Sequence, residues 1–429
     1  MGEGKENTLI RTLFVWVVLG AMIGLTVGTT TTFLLNTNDF LGNVREGNSW
    51  IIVLLPLAGL VIGYIYNNYG SNGGNDAAKG NNLVIEGVQG KARVLLRMGP
   101  IVYLGTFLTI LFGGSTGREG AAIQMGGSVA RAVNQFFHMS LIDTKIFLMS
   151  GISAGFGAAF GAPITGAVFG MEMVYLGKMK YEAVVPCLVA SFIGHFTATG
   201  AWGLEHEEFV IQTIPEMTLL SFSKVIVAAV IFSLVSVAYC QLRHGIQRVS
   251  ETYLKKNHMW RAFIGGLIIV MLTGILGTDD YNGRGLDMLQ ESFEETVPTF
   301  AFLAKLVFTA VTMGTGFVGG EAIPLFFMGA TLGNTISTII DLPMSFLAGL
   351  GLIATFAGGA NTPIAAFLLA VEMFDGKGIE YFFLACLISY IFSGHHGLWP
   401  SQAIFAPKSR LYKVKENETI KAAEDNTKG

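Results

Sequence analysis

Two short stretches set acids beside glycines in otherwise apolar surroundings. The first, Leu111 to Val133 (LFGGSTGREGAAIQMGGSVARAV), places Arg118 and Glu119 among Gly113, Gly114, Gly117 and Gly120. The second, Gly319-Gly320-Glu321-Ala322-Ile323-Pro324, offers a carboxylate directly after a glycine pair. An ionisable side chain at membrane depth costs at least a few kcal/mol, so it faces a partner or a water-filled pathway and marks function. The glycines leave the backbone bare just where apolar residues resume at Ala121, which reads as a helix starting in mid-membrane. Unpaired N–H groups and the positive end of the dipole make such a start an anion site. Glu119 can itself be an anion tethered there.

Other chemistry is weaker. Gly113-Gly114-Ser115-Thr116-Gly117 matches the G-x-S-x-G nucleophile pattern, which would make an intramembrane serine hydrolase with His195 or His395 as base. That pattern needs a strand before it, and here an apolar helix precedes it. No HExxH, Walker or dinucleotide fingerprint occurs, and no metal, cofactor or nucleic acid is called for. Cys187, Cys240 and Cys386 lie in apolar runs and read as small buried hydrophobes. Arg118 serves equally well as an ion-pair partner fixing the fold or as an anion contact. Interfacial packing is expected of His195 and His395, and Glu205, His206 and Glu207 read as a solvated cluster.

The elements that must position the acids belong to a polytopic, all-helical membrane protein. Hydrophobic residues make up 52% of the 429 and charged ones 13%, about half the charged share of a soluble domain. Residues 12–35, 146–171, 183–204 and 342–371 contain no Asp, Glu, Lys or Arg and are long enough to span or nearly span a bilayer. The first is too long for a signal peptide and reads as a retained helix. Other apolar segments, among them 99–113, 162–176, 321–338 and 399–406, are short or interrupted by Gly and Pro. Irregular backbone survives at depth only around a cavity, so many half-length helices imply an ion site built from broken helix ends. The net charge of −3 points to no partner.

The chain also repeats. Residues 151–195 and 351–395 align without a gap at an offset of 200, pairing Phe156 with Phe356, Pro163 with Pro363, Glu172 with Glu372 and His195 with His395. Symmetric placement gives Glu172 and Glu372 a structural or water-wire role. At an offset of 203, Gly117 falls on Gly320 and Met125 on Met328. Each half thus contributes one glycine-started helix with a carboxylate, the arrangement of a transporter with its site at the repeat interface. The divisions expected are a tail (1–9), a first transmembrane repeat (10–200), a connecting loop (201–218), a second repeat (219–407) and a polar C-terminal tail (408–429), disordered after Lys413.

GREG at 117–120, GAPITGAVFGMEM at 161–173 and GGEAIP at 319–324 resemble, in order and spacing, the signature blocks of the CLC family of anion channels and anion/proton antiporters. The resemblance runs from about residue 10 to 410. The family's Gly-Ser-Gly-Ile-Pro signature falls on Gly80-Asn81-Asn82-Leu83-Val84, with the amide of Asn81 in place of a hydroxyl donor. The internal proton-transfer glutamate of the chloride exchangers falls on Met173. These departures, with Glu321, resemble the bacterial fluoride/proton antiporter branch. Ala121 stands where the family has proline, Ile323 where a small or hydroxyl residue is expected, and Trp399 is the aromatic nearest the family's site tyrosine. The resemblance implies a CLC-type fold of two related, inverted repeats and a homodimer in a bacterial inner (plasma) membrane, expelling fluoride in exchange for protons. It further implies an anion site formed by Asn81, Arg118, Glu119, Gly120, Glu321, Ala322, Ile323 and Trp399, with Glu119 and Glu321 carrying protons. Fluoride is small and strongly hydrated, so several short-range donors must replace its water. A chloride/proton exchanger or a passive anion channel is the alternative.

Overall fold

A computed structural model describes residues 3–73, 75–137, 140–254, 257–410, 415 and 417–427. The first half runs α1 (Glu3–Glu46), α2 (Leu55–Tyr69), α3 (Asn81–Gln89), α4 (Met98–Leu111), α5 (Glu119–Phe137), α6 (Leu141–Phe160), α7 (Pro163–Glu172) and α8 (Val184–Phe196). The second runs α9 (Leu219–Tyr253), α10 (His258–Leu276), α11 (Leu286–Glu294), α12 (Ala301–Gly314), α13 (Ala322–Ile340), α14 (Met344–Ala360), α15 (Pro363–Met373) and α16 (Ile379–Phe392), before a short α17 (Ile420–Thr427). The order of α1–α8 is replayed by α9–α16. α4 and α12 have equal lengths at the same offset of 203 that relates the glycine loops. Packing repeats too: α1 lies on α8 as α9 lies on α16, and α5 on α6 as α13 on α14.

Sequence features make these contacts possible. Gly126 backs onto the carbonyl of Gly151 where α5 meets α6, and Gly329 backs onto that of Gly351 where α13 meets α14, too close for any side chain. Pro163 and Pro363 open α7 and α15, where a missing N–H costs nothing. Each of these half-helices is then closed by an acid of the other half. Glu372 accepts from the N–H groups of Ile164 (2.9 Å) and Thr165 (2.7 Å) and from the Thr165 hydroxyl (2.6 Å). Glu172 accepts from Ile364 N–H (3.2 Å) and Ala365 N–H (2.8 Å). Paired acids at repeated positions are therefore reciprocal caps, satisfying donors that lipid could not.

Among the described residues, six helices are long and apolar enough to cross a membrane, and α4, α12, α14, α15 and α16 are shorter apolar helices. Several expectations shift. α1 continues past residue 35 and α9 past 242, because their polar extensions face protein rather than lipid: Asp39 pairs with Arg118, and Arg243 with Glu321. The polar helices α3 and α11 carry no hydropathy signal. Residues 399–406 form no helix; Ala403–Ile404 is a strand, parallel to Tyr175–Leu176 and antiparallel to Glu418–Thr419. The segment after Lys413 is ordered where described, since α17 buries Ile420, and earlier in the tail Lys408 bonds Asn361 and, at 2.8 Å, Ser393. Two apolar residues in α17 suffice to dock it, too few to register as a pattern.

Candidate functional site

α4 and α12 each end in a loop that turns back to start α5 or α13, and the two loops meet. Gly117 N–H donates to the Gly320 carbonyl (2.8 Å) and Gly320 N–H to that of Gly117 (2.7 Å), an antiparallel bridge between residues that correspond in the repeat. Equivalent residues exchanging bonds in this way straddle a local twofold axis, so α5 and α13 leave it in related but opposed directions. Side chains are excluded: a Cβ on Gly320 would stand 2.6 Å from the Gly120 nitrogen, and one on Gly120 would stand 2.8 Å from the Gly320 Cα. First-turn N–H groups of both helices, which have no intrahelical acceptor, thereby converge.

They border a constricted cavity of about 10 Å³, room for one water-sized particle. Asn81, Glu119, Gly120, Glu321, Ala322 and Trp399 line it, six of the eight residues singled out as an anion site. Sequence reasoning missed its apolar walls, Ile123, Phe156, Phe160, Phe169, Phe356 and Leu398. Phe156 and Phe356 are a repeat pair, which was the available signal; they face each other at 6.3 Å between ring centroids. The amide oxygen of Asn81 is buried without a hydrogen-bond partner. The Asn81 Nδ2 lies 3.5 Å from where a Cβ on Gly120 would stand, which sets the amide's NH₂ group at the start of α5. The segment holding Trp399 is strapped to α3, since Ser401 N–H donates to Asn82 (3.0 Å) and the Ser401 hydroxyl to Glu86 (2.9 Å). The C-terminal residues add two more bonds, Ile420 N–H to the Gln402 carbonyl (3.0 Å) and Lys421 N–H to that of Pro400 (3.1 Å).

The structure does not bring Arg118 or Ile323 to the cavity wall. Arg118 is buried with its guanidinium tied to Asp39, to the Leu35 carbonyl (3.0 Å) and to Glu207 (3.2 Å). Arg284 closes the ring, 2.8 Å from Asp39 and 3.1 Å from Glu207. Glu207 is thus an ion-pair partner rather than part of a solvated cluster, and Arg118 has its charge matched by protein. Ile323 packs behind Gly117, where a Cβ would meet it at 3.2 Å. Glu119 folds back on its own helix start, its Oε2 accepting from Arg118 N–H at 3.0 Å.

Glu321 is held differently. The Tyr239 hydroxyl donates to its Oε1 at 2.7 Å and Arg243 Nε lies 3.3 Å from the same oxygen, so its partners come from α9 and not from Arg118. Its side chain makes no capping bond to α13. Tyr239, Arg243, Gln247 and Glu251 form an i, i+4 stripe on α9, linked by Arg243 to Gln247 (3.0 Å) and Gln247 to Glu251 (3.0 Å). Arg243, Gln247 and Glu251 of that stripe border a polar vestibule of about 500 Å³ whose inner end is Asn81, Glu321 and Trp399. His258, at the start of α10, also lines the vestibule, whereas Arg284 lies beyond the other end of that helix, next to Gly283, whose carbonyl accepts from Thr116 N–H at 3.1 Å. The two carboxylates therefore border one cavity with different partners, Glu119 beside Arg118 and Glu321 beside α9 and the vestibule.

Ser115 is fully buried, its hydroxyl 2.9 Å from that of Thr309 and its N–H bonded to Thr312 Oγ1 at 3.2 Å. The loop follows a helix rather than a strand, and neither His195 nor His395 is among these partners. This is a structural joint between the halves, and the nucleophile reading fails on geometry.

Comparison with known proteins agrees with this architecture. The family model described as voltage gated chloride channel matches residues 58–394. A chloride/fluoride channel protein of Pseudomonas syringae pv. tomato is 37% identical over 93% of this chain and 89% of its own length. The H(+)/Cl(-) exchange transporter ClcA of Yersinia pestis is 25% identical over 87% and 85%. Among solved structures, a CLC-type fluoride/proton antiporter superposes with a TM-score of 0.87 at 30% identity, covering 91% of this chain and 98% of that one. With two carboxylates on one water-sized cavity between duplicated halves, this chain is a membrane protein of the CLC family of anion channels and anion/proton transporters.

Proposed function

We propose that this protein exchanges fluoride for protons, expelling fluoride across a bacterial inner membrane as a homodimer. The observation that carries the reading is the cavity itself, one water-sized space bordered by both Glu119 and Glu321. A fluoride ion stripped of water is about that size, and it needs strong donors at short range. The Asn81 amide, the Trp399 indole N–H and first-turn N–H groups at Gly120 and Ala322 supply them without metal. The phenyl rings around the cavity can also turn their electropositive edges inward. Arg118 acts through Glu119, whose Oε1 lies 3.7 Å from its Nε, and not as a direct ligand. Glu119 competes with the anion when ionised and withdraws when protonated. Met173 is buried and has no titratable group, so the second proton carrier is Glu321 at the vestibule end.

Relatives include a chloride exchanger, and the test separates the two anions. Purified protein in liposomes, loaded with fluoride on one side, should drive proton movement in the opposite direction, followed with a trapped pH dye. The same vesicles under a chloride gradient should move protons far more slowly. Equal rates would overturn the fluoride reading, and anion flux without proton flux would overturn exchange.

A further inference from the structure

A second cleft, about 1170 Å³, opens beside the vestibule and takes no part in the ion pathway. Lys91, Arg93, Arg97, Arg131 and Lys145 line it, and no Asp or Glu does. They come from three elements: the connection between α3 and α4, the second half of α5, and the first turns of α6. None of the five has an ion pair among the described residues, although the chain pairs Arg45, Arg118, Arg243, Arg261 and Arg284 elsewhere. The one side-chain bond found for them is from Arg97 to the Ser71 carbonyl, at 2.6 Å. Space is kept for them as well: a side chain on Gly90, which has φ +78°, would meet Lys145 Nζ at 3.4 Å. Five like charges around one cleft with no acid in its lining make a surface that attracts an anion from outside the chain.

Position identifies the source. The paired strands Ser71–Asn72 and Asn75–Asp76 separate this cleft from the vestibule, with Asn72 and Asn75 on one wall and Ser71 and Asp76 on the other. The cleft therefore opens at the membrane face on which the vestibule opens. Leu96 lines it and is 47% exposed, and Phe136, next to the lining residue Gln135, is 77% exposed. Exposed apolar side chains adjoining unpaired cations at helix ends mark the level where acyl chains give way to headgroups. We propose that this cleft binds the phosphate headgroup of an anionic phospholipid, with its acyl chains along Leu96 and Phe136. Free phosphate shares the chemistry but has no use for the apolar rim.

The full chain in neutral detergent, titrated with short-chain phosphatidylglycerol or phosphatidylcholine and read by native mass spectrometry, tests this. Phosphatidylglycerol should be retained about tenfold more tightly than phosphatidylcholine, and inorganic phosphate should displace it poorly. The double variant Arg131→Gln/Lys145→Gln should lose that preference. Because those two side chains are half-buried, Lys91→Gln/Arg93→Gln, on the exposed connection, gives a second arm that leaves the helices untouched; it should weaken retention severalfold. Retention unchanged in both variants, or equal for the two lipids, would overturn the proposal. Displacement by inorganic phosphate as effective as by the lipid would assign the cleft to free phosphate and overturn the lipid reading.

Discussion

The two glycine loops are the same piece of backbone used twice, bonded to each other at Gly117 and Gly320, yet their carboxylates live in different company. Glu119 curls onto its own helix start beside a buried arginine whose charge is absorbed by Asp39 and Glu207. Glu321 points to α9, where a tyrosine and an arginine hold a single oxygen and an open vestibule begins. Duplication supplied the helix starts; divergence of the partners gave the two carboxylates different surroundings. A symmetric site would bind an anion without telling inside from outside, whereas acids with unlike partners can trade protons with different compartments.

The largest expected effects come from removing titration at either carboxylate. Glu321→Gln keeps size and hydrogen bonding, and coupled fluoride transport should fall by about two orders of magnitude or more, measured as proton flux in liposomes. Glu119→Gln should abolish proton coupling while fluoride still passes, since an amide neither titrates nor competes as an anion. Equivalent behaviour of the two variants would mean that the two carboxylates are not distinct after all. Next, Gly320→Ala drives a methyl group against the Gly120 nitrogen and should destabilise the protein by roughly 2–3 kcal/mol, read as a lowered unfolding temperature in detergent. Asn81→Ser replaces the amide donor by a hydroxyl, and the fluoride-over-chloride preference in anion-flux assays should shrink about tenfold, a change of about 1.4 kcal/mol. The smallest effects belong to the reciprocal caps. Glu372→Gln should cost about 1–2 kcal/mol and Glu172→Gln rather less, because three donors depend on the first carboxylate and two on the second. Equal unfolding temperatures for the two variants would contradict that ranking.

What could be read in the letters was whatever depends on local pattern or on repetition. Glycine runs beside Glu119 and Glu321, prolines at 163 and 363, and the offsets of 200 and 203 located the helix starts and the duplication that the fold displays. Partnerships across long stretches of chain were not legible. Arg118 finds Asp39 and Glu207 some 80 to 90 residues away on either side, and Tyr239 and Arg243 reach Glu321 from a helix whose hydropathy ends before Arg243. That same misreading made Glu207 look solvated and left Arg118 a candidate ligand. The aromatic wall was visible as repeated phenylalanines but not as a wall, since packing and lining residues have the same composition. α17 was invisible because a helix that buries Ile420 against an existing strand needs no periodicity of its own.

The crossed caps on α7 and α15 bear on how the protein is made. Glu172 leaves the ribosome about two hundred residues before the helix start it closes, and the N–H groups of Ile164 and Thr165 wait equally long for Glu372. At 5–20 residues per second that interval is roughly ten to forty seconds. During it the first half sits in the bilayer with an open helix end and an unmatched acid, so it is held by water or by the insertion machinery until the second half arrives. A chain truncated between residues 200 and 360 should therefore be a substrate for membrane quality control rather than a stable half-transporter.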